Sequence, residues 1–309
     1  MSRLVVASNR TGTPGGPRAG GLAVALWDAL QERGGGVWFG WSGEVSERES
    51  RGVRVFSEGA VDFALADLTV AEHAGYYLGY ANKTLWPVFH YRVDLARFDD
   101  GDFETYEGVN RRFGKLLAQQ LRAGDVVWIH DYHFLLLGQE VRNQGWRGPI
   151  GFFLHIPFPA PEVFAALPEH SRLARGLAEF DVIGFQTQKD TDNFRRYMLE
   201  YQEAEDLGDG SVRAFGRVIR PGAYPIGIDP SDFANQAISE EGRGGAERLG
   251  RILESRALVL GVDRMDYSKG LPQRLRAFGR LLDENEDLRG SVTFVQIAPP
   301  SRESVDAYQ

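Results

Sequence analysis

Apolar runs without polar alternation recur along the chain at Leu4–Ala7, Val37–Trp41, Val126–His130, Ile150–His155, Val182–Gln186, Ala257–Val262 and Val292–Ala298. Strands buried on both faces of a parallel sheet read this way, because neither face meets water. Between them apolar residues take helical spacing. Leu22, Leu26, Ala29 and Leu30 share one face, as do Leu271, Leu275, Phe278, Leu281 and Leu282. Strand and helix in steady alternation predict an α/β fold built from doubly wound sheets. Residues 45–70 and 205–225 are less regular and read as short antiparallel strands or a hairpin, Ser211–Phe215 with Arg217–Arg220. No internal repeat is visible.

The same pattern divides the chain. Tyr224-Pro-Ile-Gly-Ile-Asp-Pro230 carries two prolines and a glycine, a polar stretch follows at 239–246, and the strand–helix alternation restarts at 257. The expected domains are 1–230 and 231–309. The second offers two strands and two helices where an open doubly wound domain builds five or six strands, so it is expected to be incomplete.

Composition narrows the function classes. The 309 residues carry a formal net charge of −8, which disfavours a nucleic-acid partner. The absence of cysteine excludes disulfides, thiolate catalysis and Cys-ligated metals. No apolar stretch reaches the roughly 18 residues of a membrane span, and the first residues lack the shape of a signal peptide. A soluble, cytoplasmic protein is expected.

In open α/β sheets ligands bind at the carboxyl ends of strands, so the residues following each strand are the candidates. After the first come Ser8-Asn9-Arg10 and a Gly/Pro-rich loop ending at Gly20-Gly21 as a helix opens. Unshielded backbone N–H groups at a helix start suit a phosphate, and Arg10 adds a charge-assisted contact; the plainer reading is a surface loop. The loop is neither G-x-G-x-x-G nor a Walker loop, which counts against NAD and P-loop chemistry. After Val126–Ile129 comes His130-Asp-Tyr-His133. A strand-to-turn segment points these side chains apart, and no third cluster accompanies them, so a metal site is disfavoured. Asp131 reads as an acceptor for a polar ligand such as a sugar hydroxyl, or else as a cap for the next helix. His155 precedes three alternating prolines, whose fixed backbone makes a rigid platform for its ring.

After Ala257–Val262 comes Asp263-Arg-Met-Asp-Tyr-Ser-Lys-Gly270, and after the last strand Ala298-Pro-Pro-Ser-Arg302. Arg264 and Lys269 beside a helix start make an anion site that a diphosphate would satisfy, unless they are ordinary surface charges. Tyr76, Tyr77 and Trp86 suit stacking on sugars and core packing equally well. From the residues alone, the chain binds phosphate and sugar at the mouth of an α/β sheet.

The segments Arg3-Leu-Val-Val-Ala-Ser-Asn-Arg10, Trp38-Phe-Gly-Trp-Ser-Gly-Glu44, Trp128-Ile-His-Asp-Tyr-His133, Gly151-Phe-Phe-Leu-His-Ile-Pro-Phe-Pro159 and Arg264-Met-Asp-Tyr-Ser-Lys-Gly-Leu-Pro272 together resemble the trehalose-6-phosphate synthases. These are retaining glycosyltransferases of the GT-B fold, with two facing Rossmann-like domains. The resemblance implies glucosyl transfer from a nucleoside-diphosphate glucose such as UDP-glucose to glucose 6-phosphate, without metal or other cofactor, in a possible homo-oligomer. It implies that Arg10 and Arg302 hold the acceptor phosphate, Tyr77 and Trp86 shape that pocket, and Asp131 holds the acceptor sugar. It assigns His155 to the donor glucose, Arg264 and Lys269 to the donor diphosphate, and Gly21 to a close backbone approach. Ser8 and Asn9 are expected to be structural. The family's later donor motif, Asp-Gly-Met-Asn-Leu-Val, is not reached, so this form is expected to be impaired or inactive. The rival readings are a glucosylglycerol-phosphate synthase-like transferase and a non-catalytic sugar-phosphate binder.

Overall fold

The apolar runs form strands in the computed structural model, which describes residues 2–12, 15–16, 21–49, 52–253 and 257–300. The chain separates into two compact units, Met1–Ile226 and Gly227–Gln309. The first is built on β1 (Leu4–Arg10), β2 (Gly36–Ser46), β3 (Arg54–Glu58), β4 (Val61–Thr69), β5 (Val126–His130), β6 (Ile150–Phe153), β7 (Val182–Phe185), β8 (Glu205–Asp206), β9 (Val212–Ala214) and β10 (Arg217–Ala223). They lie in one sheet in the order β3-β4-β2-β1-β5-β6-β7-β10-β9-β8. Every pairing from β4 to β10 is parallel, and antiparallel strands finish both edges. The chain winds outward from β1 to β2 and β4, then restarts on the other side at β5. The carboxyl ends of β1 and β5 therefore flank the switch point, where such sheets leave a crevice.

The core draws on the predicted strand and helix runs and also on β4. Val5, Val6 and Ala7 are fully buried, and Leu26 and Leu30 of the helix Gly21–Glu32 pack with Leu4, Val6, Trp38, Val61, Phe63 and Leu65. The hairpin of β9 and β10 also forms where expected.

Three local expectations change. β4 is a nine-residue strand parallel to β2, inside a segment read as irregular. Asp62 and Asp67 interrupt its apolar run, and both are held by side chains, Asp62 by Ser57 and Asp67 by Ser42 and Arg54. β6 ends at Phe153, two residues early, so His155 sits in the loop rather than on the strand. Residues His73–Leu85 form a π-helix of 13 residues, which no apolar period announced.

In the second unit β11 (Ala257–Val262) and β12 (Val292–Ile297) pair in parallel, joined through the helix Leu271–Glu284. Phe278 packs on Phe294 with ring centroids 5.3 Å apart. Among the described residues no helix is long and apolar enough to cross a membrane.

Candidate functional site

β1 delivers Arg10 to its carboxyl end on a rigid base. The Trp38 indole N–H donates to Ser8 Oγ at 2.8 Å, and the Ser8 hydroxyl donates to the Arg10 carbonyl at 2.9 Å. Asn9 Oδ1 accepts from the Tyr76 hydroxyl at 2.7 Å. Ser8 and Asn9 are both buried, as their structural assignment requires. The Arg10 side chain is exposed and runs beside Trp41, its guanidinium carbon 5.9 Å from the ring centroid. Gly43, with φ of 93°, makes room for it: a Cβ there would lie 2.7 Å from the guanidinium.

The π-helix supplies the next wall. Runs of this kind are rare and recur at functional sites. This one begins from a capping box, in which Thr69 and Glu72 satisfy each other's backbone donors. It lies close against the helix Asp100–Ala118 because Gly79 has no side chain, a Cβ there falling 2.3 Å from the Asp102 carboxylate. From it Tyr77 projects, partly exposed, 5.3 Å from Trp41 and stacked at 5.9 Å on His133. Aromatic contacts continue from His133 to Tyr132 at 4.0 Å and from Tyr132 to Trp86 at 5.6 Å. A continuous aromatic wall thus runs from Arg10 to Trp86. Trp86 is only 4% exposed, so it contributes mainly as packed wall.

Buried hydrogen bonds lock this wall. Asn82 donates to the Tyr77 carbonyl at 2.7 Å and accepts from the Tyr132 hydroxyl at 2.9 Å. The Tyr106 hydroxyl donates to the Tyr132 carbonyl at 2.8 Å, and Asn110 donates to the His133 carbonyl at 3.1 Å.

Asp131 follows β5 with φ 73° and ψ 167°, a conformation that glycine tolerates and other residues resist. Its N–H donates to the Phe153 carbonyl at 2.8 Å, its carbonyl accepts from Phe134 N–H at 3.0 Å, and its Oδ1 accepts from His155 N–H at 3.3 Å. The carboxylate makes no capping bond to the short helix that follows, so the helix-cap reading is set aside.

The loop carrying His155 is held by side chains because its prolines cannot donate. Besides His155 N–H on Asp131, Phe158 N–H donates to Asp190 Oδ1 at 3.0 Å and Ala160 N–H to the Tyr91 hydroxyl at 2.9 Å. Tyr91 itself holds φ of 60°. Tyr91→Phe is expected to lower stability by about 0.5–1 kcal/mol, the worth of one partly exposed hydrogen bond. A urea unfolding midpoint identical to that of the parent would contradict this tether.

Beside Asp131 the two rings of His130 and His155 face each other, Nδ1 of the first 3.0 Å from Nε2 of the second. Burial pulls the His130 pKa well below its ordinary 6.5, helped by the neighbouring His155. Burial also lowers that of His155, opposed by the charge of Asp131. The unfolded chain takes up protons below pH 6.5 and the folded pair resists them, so stability is complete above that value and falls below it. The loss reaches about 1.4 kcal/mol per pH unit for each histidine. His130→Asn should therefore show a smaller drop in melting temperature between pH 7.5 and 5.5 than the parent; equal drops would contradict the assignment.

In the second unit, β11 ends at Val262 and the chain turns through Arg264, Asp266 and a short turn at Tyr267–Lys269 into the helix Leu271–Glu284. Asp266, 4% exposed, accepts from Ser268 N–H at 2.9 Å, and Gly270 takes φ of 65° to open the helix. Asp263 is paired with Arg274 at 2.7 Å. Arg264 and Lys269 are both exposed on this folded turn.

Within the first unit, then, the fold gathers Arg10, Tyr77 and Trp86 along one wall and ties Asp131 to His155. Gly21 opens the first helix, exposed, with nothing described within 4 Å of where a Cβ would stand. Arg264 and Lys269 share a turn of the second unit, and Arg302 lies outside the described residues. Trp41, His73 and Tyr132 were not singled out from the sequence, and His130 and His133 were weighed there only as metal ligands. Trp41 stands at the carboxyl end of an expected strand, a signal that would have found it. Among the described residues, no group of three or more His, Cys, Asp or Glu is arranged to hold a metal ion.

The sequence signature of glycosyltransferase family 20 matches residues 8–309. A trehalose-6-phosphate synthase of Sinorhizobium fredii is 44% identical over 313 aligned residues, which take in 100% of this chain and 68% of that protein. A crystal structure of an alpha,alpha-trehalose-phosphate synthase (UDP-forming) from Burkholderia vietnamiensis superposes with a TM-score of 0.96 at 45% identity, covering 100% of this chain and 66% of that one. The Burkholderia xenovorans enzyme in complex with glucose-6-phosphate superposes at 0.94 and 45% identity, covering 100% and 68%. The chain thus spans about two thirds of the length of the relatives it matches.

Proposed function

The chain belongs to glycosyltransferase family 20, and from that premise we propose that it takes part in glucosyl transfer from a nucleoside-diphosphate glucose, UDP-glucose in the first instance, to glucose 6-phosphate, giving α,α-trehalose 6-phosphate with retention. The observation that carries this reading is the acceptor-shaped arrangement of the first unit. An exposed cation at Arg10, an aromatic wall from Trp41 to Trp86 and the acceptor-only carboxylate of Asp131 lie at the sheet's switch point. The likeness to a relative crystallised with glucose-6-phosphate supports the same choice.

In this reading residues 1–230 are the acceptor domain and 231–309 the first part of the nucleotide-sugar domain. Arg10, with Arg302, holds the acceptor phosphate. Tyr77 and Trp86 bound the pocket, and Asp131 accepts from sugar hydroxyls. His155 and Gly21 meet the donor, and Arg264 and Lys269 neutralise its diphosphate. As the bond from glucosyl C1 to the leaving phosphate oxygen breaks, the acceptor hydroxyl oxygen bonds C1 from the same face. The departing phosphate takes the hydroxyl proton. Such a step asks the protein for positioning and charge stabilisation rather than a carboxylate pair. It also needs water kept out, since hydrolysis of the donor competes. A cytoplasmic location goes with this reading.

A coupled assay of UDP release with glucose 6-phosphate and with glycerol 3-phosphate as rival acceptors tests the substrate assignment, run on a form extended to the full length of its relatives. Turnover with glucose 6-phosphate is expected. Turnover with glycerol 3-phosphate alone would replace it with the glucosylglycerol-phosphate reaction.

A further inference from the structure

The paired rings of His130 and His155 have no role in the reading above beyond the single contact given to His155. We infer that His130 is a positioning residue that fixes the tautomer of His155, leaving His155 with its proton on Nδ1. The value of this to the reaction rests on the proposed role of His155 at the donor sugar; the tautomer itself does not.

One proton must lie between His130 Nδ1 and His155 Nε2, which are 3.0 Å apart. If His155 supplies it, neutral His130 must carry its own proton on Nε2. That atom is buried and has no hydrogen-bond partner among the described residues. It would then be an orphaned N–H in an aromatic pocket, with Trp128 at 4.3 Å and Phe153 at 6.4 Å between ring centroids. Orphaned buried N–H groups are among the least tolerated arrangements in folded proteins. If His130 supplies the proton instead, its Nε2 is a bare ring nitrogen, and no donor is stranded. Burial lowers the pKa of both rings, which favours the neutral pair over a shared extra proton.

His155 then accepts at Nε2 and keeps its proton on Nδ1, on a ring that remains partly exposed. The adjacent Asp131 carboxylate only accepts. A sugar edge entering between them meets a fixed donor beside a fixed acceptor. That polarity would be lost if His155 could exchange tautomers freely.

Long-range proton–nitrogen NMR on the 309-residue protein, labelled with 15N at its six histidines, reads the tautomer directly. His155 is assigned from the signals missing in His155→Gln. The expected spectrum at pH 7.5 has His155 protonated at Nδ1 with Nε2 in the unprotonated range. His130→Asn, whose amide nitrogen stands near the position of Nδ1, should keep that pattern. His130→Asp, whose carboxylate only accepts, should instead put a proton on His155 Nε2. A parent protein with His155 protonated at Nε2, or at both nitrogens, would overturn the inference; so would a His155 Nε2 that stays unprotonated in a folded His130→Asp. Donor titration of His155→Gln probes the separate question. Unchanged affinity there, with the expected spectrum, would remove His155 from the donor site and leave the tautomer standing.

Discussion

Asp131→Gly is expected to be more stable than Asp131→Ala by about 1–2 kcal/mol, while both variants lose acceptor affinity by about 10- to 100-fold. The two substitutions remove the same carboxylate and differ only in what they leave on a backbone held at φ 73° and ψ 167°. Alanine keeps the steric conflict, whereas glycine relieves it; the greater freedom of glycine in the unfolded chain returns less than about 1 kcal/mol. The strain persists because Phe153, Phe134 and His155 fix the segment from three directions. Its product is a carboxylate carried at the mouth of β5. Calorimetric melting and titration with glucose 6-phosphate read the two effects separately. Equal stability of the two variants would remove the strain argument, and retained affinity would remove Asp131 from the acceptor site.

Arg264→Ala is expected to weaken binding of UDP-glucose about 10- to 100-fold in a form extended to the full length of its relatives, the range for losing a charge-assisted contact to phosphate. Melting temperature should stay close to the parent value. Arg264 is exposed, and Asp266 on Ser268 N–H and Asp263 with Arg274 also hold its turn. Lys269→Ala should act in the same direction but less, since an ammonium meets a diphosphate as a point charge and not through a planar fork. Donor affinity unchanged in both variants would leave the diphosphate assignment without support.

The parts of this site that were legible in the sequence are those set by local rules. Arg10 and Asp131 follow apolar strand runs, and the carboxyl-end rule for open sheets pointed to both. The alternating prolines after His155 announced a rigid loop, and the loop's donors are indeed captured by side chains. Features that depend on which elements meet were not legible. The stacking of Tyr77 on His133 joins residues 56 positions apart, through a π-helix whose hydrogen-bond shift has no apolar signature. The His130–His155 contact needs β5 and β6 side by side in register. β4 was hidden for another reason: Asp62 and Asp67 break the apolar run that marks a buried strand, and both stay half-buried, bonded to side chains of neighbouring segments. Charge tells the same story on a larger scale. A chain of net charge −8 still sets Arg10 and Arg264 at strand ends and Lys269 just before a helix, where an average over the sequence cannot show them.

Calorimetric titration of the 309-residue protein with glucose 6-phosphate, glucose and glycerol 3-phosphate tests the proposed acceptor site most directly. The account predicts that glucose 6-phosphate binds at least about tenfold more tightly than either, since it alone engages the Arg10 cation and the aromatic wall together, and that Arg10→Ala largely removes its advantage over glucose. Equal binding of glucose and glucose 6-phosphate, or an advantage that survives Arg10→Ala intact, would contradict it.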